Sequence, residues 1–249
     1  MFAYPQRVIT KASPQYSVGF TARASPSSPP SSPPSPPSSP TYCLSAVVIA
    51  WENVLFPLKW LTESAEFSLT QQGIEATKLK TRGNPFLAQA LGAIEQQIIG
   101  TLSIIAPKVP VYIVTESCTE AVEAICATFF PGLRAYLGST RGRVQVLPAV
   151  GKSQVEQMTS KLNQLQQICV ASAATMEANK TQTPFKILTI TADEIDRRVT
   201  TRMQQTMARF GAIQTMHLPA LMANGKPLSL VDFHKQLQKV AAALAKEVA

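Results

Sequence analysis

The sequence predicts an α/β domain: a three-layer, doubly wound, mostly parallel sheet of five strands preceded by an N-terminal tail. Three observations carry this. Residues 25–40 contain only Ser and Pro, which bury no core and favour an extended spacer. From Tyr42 onward, short β-branched runs alternate with amphipathic stretches long enough to cross over between parallel strands. The runs are apolar throughout, the pattern of strands buried on both faces.

The strands are predicted at SAVVIA (45–50), VYIVT (111–115), VQVL (144–147), KILTI (186–190) and IQTMH (213–217). Between the first two, Asn84 and Pro85 open a helix as N-cap and first residue, with Phe86, Leu87, Ala90, Leu91, Ile94, Ile98 and Leu102 on one broad face. Ser153 and Glu156 have capping-box spacing ahead of a stripe of Val155, Met158, Leu162, Leu165 and Cys169. The last helix starts near Ser229 and Asp232, with Val231, Leu237, Val240, Ala241, Leu244 and Val248 as its stripe. Residues 62–83 read either as a small cap or as a surface helix.

Segment 1–24 has no acid and carries Arg7, Lys11 and Arg23, the composition of an organelle transit peptide. It reads as a transit peptide or as a disordered tail, and predicts a mitochondrial protein, with plastid or cytoplasm as alternatives; Pro14, which breaks a long amphipathic helix, weakens the choice of mitochondrion over plastid. Residues 25–41 then form a linker and 42–249 the folded domain.

The formal charge of +8 falls to about +5 without those three basic residues, which is mild. The basic groups Lys78/Lys80/Arg82, Arg141/Arg143 and Arg197/Arg198/Arg202 lack interleaved aromatics, which argues against a nucleic-acid partner. Cys43, Cys118, Cys126 and Cys169 include no C-x-x-C pair, and the two histidines, His217 and His234, lie far from them and from each other. No zinc site is expected, and the four thiols read as small core residues of a reducing compartment, with a disulfide as the alternative. No apolar run reaches the roughly eighteen residues of a membrane span.

Ligands of a doubly wound sheet bind outside the carboxyl ends of the strands, which directs attention to Ala50–Asn53, Thr115–Thr119, Leu147–Lys152 and Thr191–Asp196. No G-x-S-x-G elbow, P-loop or dinucleotide glycine fingerprint occurs.

The run AWENVLFP, from Ala50 to Pro57 and followed by Trp60-Leu61, resembles the first motif of haloacid dehalogenase-like hydrolases of the subset reading Asp-Trp-Asp-Asp-Thr-Leu-Phe-Pro. YIVTESCTEAVEAICATFFPGL is similar to the second motif, with Thr115 as the residue that closes a strand and binds phosphate. ILTITADEIDRR resembles a segment in which Gly-Asp-Ser is followed by acidic residues and Arg. The likeness runs over about residues 44–248. It implies a Rossmannoid fold and Mg²⁺-dependent phosphate-ester chemistry.

The departures remove that chemistry. The family's nucleophile is an Asp that attacks phosphorus and holds Mg²⁺, and Ala50 offers neither oxygen nor charge. Glu52 keeps a carboxyl where the resemblance implies the general acid, but an acid without a nucleophile turns nothing over. Asn53 and Val54 replace the next Asp and Thr, which is expected to strip polar support from the loop. Glu116 sets a negative charge where a phosphate would approach a helix N-terminus. Lys152 is the lysine near the third strand's end that could stand for the family's phosphate-neutralising lysine, although its surroundings read as a solvated loop.

Asp193 and Asp196 are weak candidates for metal ligands, in an ambiguous register. Aligned on Arg197, the family's metal Asp becomes Ala192; aligned on Asp193, one acid survives. Their simpler role is to complement a helix dipole from its first turn.

The expectation is therefore a domain without catalytic residues or cofactor, acting as a structural or protein-interaction module among protein partners, in the setting of a multisubunit organellar complex. The alternatives are a divergent Mg²⁺-dependent phosphatase using Glu52 or Asp193, and a regulatory pseudoenzyme that binds a phosphorylated ligand through Thr115 and Lys152.

Overall fold

The computed structural model describes residues 42–68, 70–140, 142–181, 183–222 and 224–249. These residues belong to one unit, Pro40–Ala249. The 1–24 segment, the whole of the linker 25–41, and Arg141 of the basic groups lie outside the described residues.

Strand β1 (Cys43–Ala50) is followed by α1 (Leu58–Ser64), α2 (Gln71–Arg82) and α3 (Pro85–Ile105). Then come β2 (Val111–Thr115), α4 (Thr119–Phe129), α5 (Pro131–Ser139) and β3 (Val144–Pro148). The chain ends with α6 (Gln154–Ala178), β4 (Phe185–Thr191), α7 (Glu194–Met207), β5 (Gly211–His217) and α8 (Leu230–Glu247). All strand pairs are parallel, in the order β3-β2-β1-β4-β5. Each predicted strand is present, within two residues at either end.

Two apolar layers sandwich the sheet. On one face Ile49, Val111, Ile113, Leu188 and Ile190 pack against Ile94, Ile98 and Leu102 of α3, Ile125 of α4 and Leu237, Val240 and Leu244 of α8. On the other, Ala46, Val48, Phe185 and Ile187 meet Leu165, Ile168 and Cys169 of α6 and Val199 and Met203 of α7. Residues 62–83 supply the end of α1 and then α2, whose Ile74 joins the first layer.

The helix caps are those the sequence predicts. Asn84 Oδ1 accepts from Leu87 N at 3.1 Å, Ser153 Oγ from Glu156 N at 3.2 Å, and Ser229 Oγ from Asp232 N at 3.1 Å. The box at α6 is displaced by one residue, since the Glu156 carboxylate accepts from Lys152 N at 2.8 Å.

Three predicted stripe residues are not core. Phe86, Val155 and Val231 are 81%, 70% and 62% exposed. Each is the second residue of its helix. A helical side chain covers the turn N-terminal to its own Cα, so in the first turn it overhangs the edge of the core.

The cysteines divide as well: Cys126 and Cys169 are buried, whereas Cys43 and Cys118 are exposed at the start of β1 and the N-cap of α4. All four are free thiols.

The candidate site at the carboxyl ends of the strands

The strand order reverses at β1: the chain moves outward through β2 and β3, then returns to place β4 on the other side of β1. Such a switch point opens a crevice at the carboxyl ends of the strands. A cavity of about 30 Å³ lies there, lined by Ala50, Val114, Lys161, Leu165, Thr191 and Asp196 among others. That is room enough for a water molecule. Ala50 closes β1 in register with Val114 of β2, and its methyl group forms part of the cavity wall.

Past Ala50 the chain turns tightly. Asn53 N donates to Phe56 O at 2.7 Å, and Phe56 N to Trp51 O at 2.8 Å. Asn53 adopts a left-handed conformation, φ 59°, which Asn tolerates better than most residues. Its side chain accepts from Lys59 N at 2.8 Å in the first turn of α1. The expectation that Asn53 and Val54 weaken the loop is therefore corrected. Asn53 ties the loop to α1, and Val54 is buried in the core beneath it.

The turn aims Glu52 at the start of α4. Its Oε1 accepts from Thr115 Oγ1 at 2.7 Å, from Glu116 N at 3.1 Å and, at 3.4 Å, from Ser117 Oγ. Thr115 Oγ1 accepts in turn from Ser117 N at 3.1 Å. The donors that the sequence suggests for an incoming anion therefore converge on the chain's own carboxylate.

Burial is the largest influence on Glu52 and pushes its carboxyl above the ordinary value. The Thr115 hydroxyl and the Glu116 N–H oppose the rise, and the Glu116 charge adds to it. An acid whose folded value is raised carries no penalty below its unfolded value and the full penalty above its folded one. Glu52→Gln removes this titration. The difference in melting temperature, variant minus wild type, is expected to grow in the variant's favour as pH rises from about 4 towards neutrality. A constant difference over that range would mean that Glu52 is not held in a protonation-sensitive place.

The largest surprise is Lys161, in the third turn of α6 and 5% exposed. Its Nζ lies 2.6 Å from Glu116 Oε1 and 2.5 Å from Asp196 Oδ1. Burial disfavours the ammonium, but the Asp196 and Glu116 carboxylates outweigh it and hold Lys161 above the ordinary lysine value. Lys161, missed in the sequence reading, therefore supplies the cation at the strand ends, where Lys152 was considered. Lys152 itself is exposed in the loop after β3.

Glu116 faces an ammonium as well as the helix end. Asp196 is buried against Lys161, beyond the dipole role expected of it. Asp193 does cap α7, its Oδ1 accepting from Ile195 N at 2.6 Å. The signal for Lys161 was present in the spacing: it falls three residues after Met158 and four before Leu165, on the buried stripe.

Other chemistries have less support. Among the described residues no three His, Cys, Asp or Glu side chains are grouped to hold a metal ion. Burial pushes the Cys126 thiol to about 12 and that of Cys169 to about 11, so neither supplies a thiolate at neutral pH. His217 meets Thr191 Oγ1 through Nδ1 at 3.2 Å, at the end of β5.

No family model matches the chain, and no curated protein matches it. Among solved structures it is similar to the HAD domain of the effector protein Lem4 from Legionella pneumophila, at 12% identity and a TM-score of 0.32, over 81% of this chain and 97% of that one.

Proposed function

We propose that this chain is a haloacid dehalogenase-like domain that has lost phosphoryl transfer and serves as a structural or protein-interaction module. The observation that carries this reading is the mutual pairing of the polar groups at the strand ends. Glu52 occupies the hydroxyl and N–H donors at the start of α4, and Lys161 is divided between Glu116 and Asp196. Ala50 adds no oxygen to the cavity that Lys161 and Asp196 line.

A nucleophilic mechanism needs an oxygen or sulfur atom within reach of the substrate and a free anion cradle. Here Glu52 would have to leave the cradle first, and a phosphate entering it would meet the Glu116 charge. The acid-free N-terminal segment supports an organellar setting, where such a domain would serve as a subunit of a larger assembly.

The competing reading, a regulatory domain that binds a phosphorylated ligand, is separated by thermal melts with inorganic phosphate, alone and with Mg²⁺. A ligand that binds only the folded state at one hundred times its dissociation constant adds about 2.7 kcal/mol. No rise in melting temperature is expected beyond that given by sodium sulfate at matched ionic strength. A saturable rise specific to phosphate, lost in Thr115→Val, would overturn the paired-site reading.

A further inference from the structure

The chain has five asparagines, and the residue that follows each one governs what its side-chain amide can react with. Asn84 precedes Pro85, which has no N–H. Asn53 precedes the buried, β-branched Val54 and holds Lys59 N through its own oxygen. Asn163 lies inside α6, where the helix ladder occupies the next N–H. Asn179 is followed by Lys180, whose N–H donates to Glu177 O at 2.9 Å and whose side chain shields that nitrogen.

Asn224 differs from these four. Its successor is Gly225, and Asn224, Gly225 and Lys226 are all exposed in the loop between β5 and α8. Gly225 has a φ of 78°, in the region that favours glycine, and among the described residues no atom lies within 4 Å of the place a Cβ would take. The Asn224 side chain folds back along the chain, its Oδ1 accepting from Lys226 N at 3.1 Å. This contact spans the intervening Gly225 nitrogen. The Gly225 N–H donates to Met222 O at 2.9 Å, a bond at an exposed turn that local opening gives up to water.

We propose that Asn224-Gly225 is a site of spontaneous covalent modification, at which the asparagine closes a succinimide ring and reopens as an aspartyl or isoaspartyl residue. The Gly225 nitrogen loses its proton to solvent base and forms a bond to Asn224 Cγ. The Cγ–Nδ2 bond breaks, and Nδ2 takes a proton from water and leaves as ammonia. Water then adds to one of the two ring carbonyls, and the bond from that carbonyl to the ring nitrogen breaks. Opening at Cγ leaves an aspartyl side chain, whereas opening at the main-chain carbonyl leaves a backbone that runs through Cβ and Cγ. The net change is one water consumed and one ammonia released, with nothing oxidised or reduced.

The geometry assists the first step in two ways. Nucleophile and electrophile sit in adjacent residues, so the attack is intramolecular. Negative charge gathers on Oδ1 as the bond forms, and the Lys226 N–H already stands at that oxygen. Either product replaces a neutral amide by a carboxylate and lowers the formal charge of +8 by one. The isoaspartyl form also lengthens the turn by one carbon, between the Leu221 and Pro227 positions whose bridge closes it. The reaction is independent of the paired groups at the strand ends and stands whether or not the domain is catalytic.

The test keeps the pure full-length chain for several days at body temperature and mildly alkaline pH in heavy-oxygen water, then digests it with trypsin in ordinary water. Mass spectrometry follows peptide 210–235, in which Asn224 is the only asparagine. That peptide is expected to give two isomeric products, each with one heavy oxygen, while the peptides that carry Asn53, Asn163 and Asn179 keep their mass. Gly225→Ala is expected to slow the conversion roughly tenfold or more, with an unchanged far-ultraviolet circular dichroism spectrum. Asn224→Gln is expected to abolish it, since the longer amide would have to close a six-membered ring. An unmodified 210–235 peptide, conversion at Asn163 or Asn179 at the same pace, or an undiminished rate in Gly225→Ala would overturn the proposal.

Discussion

Lys161→Met is expected to lower the stability of the domain by roughly 3–5 kcal/mol, because it leaves two carboxylates facing a partly desolvated space without a counter-charge. Lys161 is 5% exposed, and the side chains of Asp196 and Glu116 are 11% and 30% exposed. Most of the cost therefore falls on Asp196, since Glu116 recovers part of its hydration. At about 2–4 °C per kcal/mol for a domain of this size, the melting temperature should fall by some 6–20 °C.

The double variant Lys161→Met/Asp196→Leu separates an uncompensated charge from lost packing. It is expected to recover most of the loss, since apolar residues that replace a buried pair are often neutral or stabilising. Chemical denaturation of both variants reads the two values directly. A single-variant loss under about 1 kcal/mol would show that Lys161 is not held between these carboxylates in solution.

Phe56→Ala is expected to cost a similar amount, roughly 3–5 kcal/mol, by emptying the centre of the first-motif loop. The ring is fully buried and stacks on Trp51, with centroids 5.4 Å apart and planes 9° apart. Its other neighbours are Phe67 at 6.0 Å and Phe130 at 5.9 Å, both edge-on. Edge-to-face and stacked pairs add to the area term, and alanine forfeits all three contacts together. Near-ultraviolet circular dichroism should lose the signal of the ordered Trp51, while the far-ultraviolet spectrum stays close to wild type. A loss below about 1.5 kcal/mol would place Phe56 outside the anchored core.

Phe56 also bears on the resemblance of this loop to the first motif of the haloacid dehalogenase-like hydrolases. Trp51, Leu55 and Phe56 are all core residues, 1% exposed or less. Ala50, Glu52, Asn53 and Val54 are the positions that differ from the motif; the first three face the cavity, the start of α4 and α1, while Val54 is buried in the core. Packing alone is enough to retain the first set, whereas nothing in the fold requires an acid at position 50.

The five strands and the crossover helices were legible because burial on both faces leaves unbroken apolar runs, and because the caps at Asn84, Ser153 and Ser229 leave a local mark. The strand-end loops were legible as the place to look. What escaped was pairing across long sequence separation. Lys161 lies 45 residues from Glu116 and 35 from Asp196, and only the fold brings the three together. Glu52 likewise meets Thr115 across 63 residues. Local reading therefore left Glu52 as an acid without a nucleophile and Asp196 as a dipole complement, although Asp196 is part of a buried contact and Glu52 of a partly buried one. Phe86, Val155 and Val231 failed for the opposite reason: the period was right, but the first turn of a helix overhangs what it covers.

Phosphoryl transfer at the strand ends is tested by incubating the pure chain with p-nitrophenyl phosphate and Mg²⁺, beside the Glu52→Gln variant. With Glu52 and Lys161 paired as they are, release of p-nitrophenol is expected at the buffer rate for both proteins. Sustained Mg²⁺-dependent turnover by the wild type, abolished in Glu52→Gln, would contradict it.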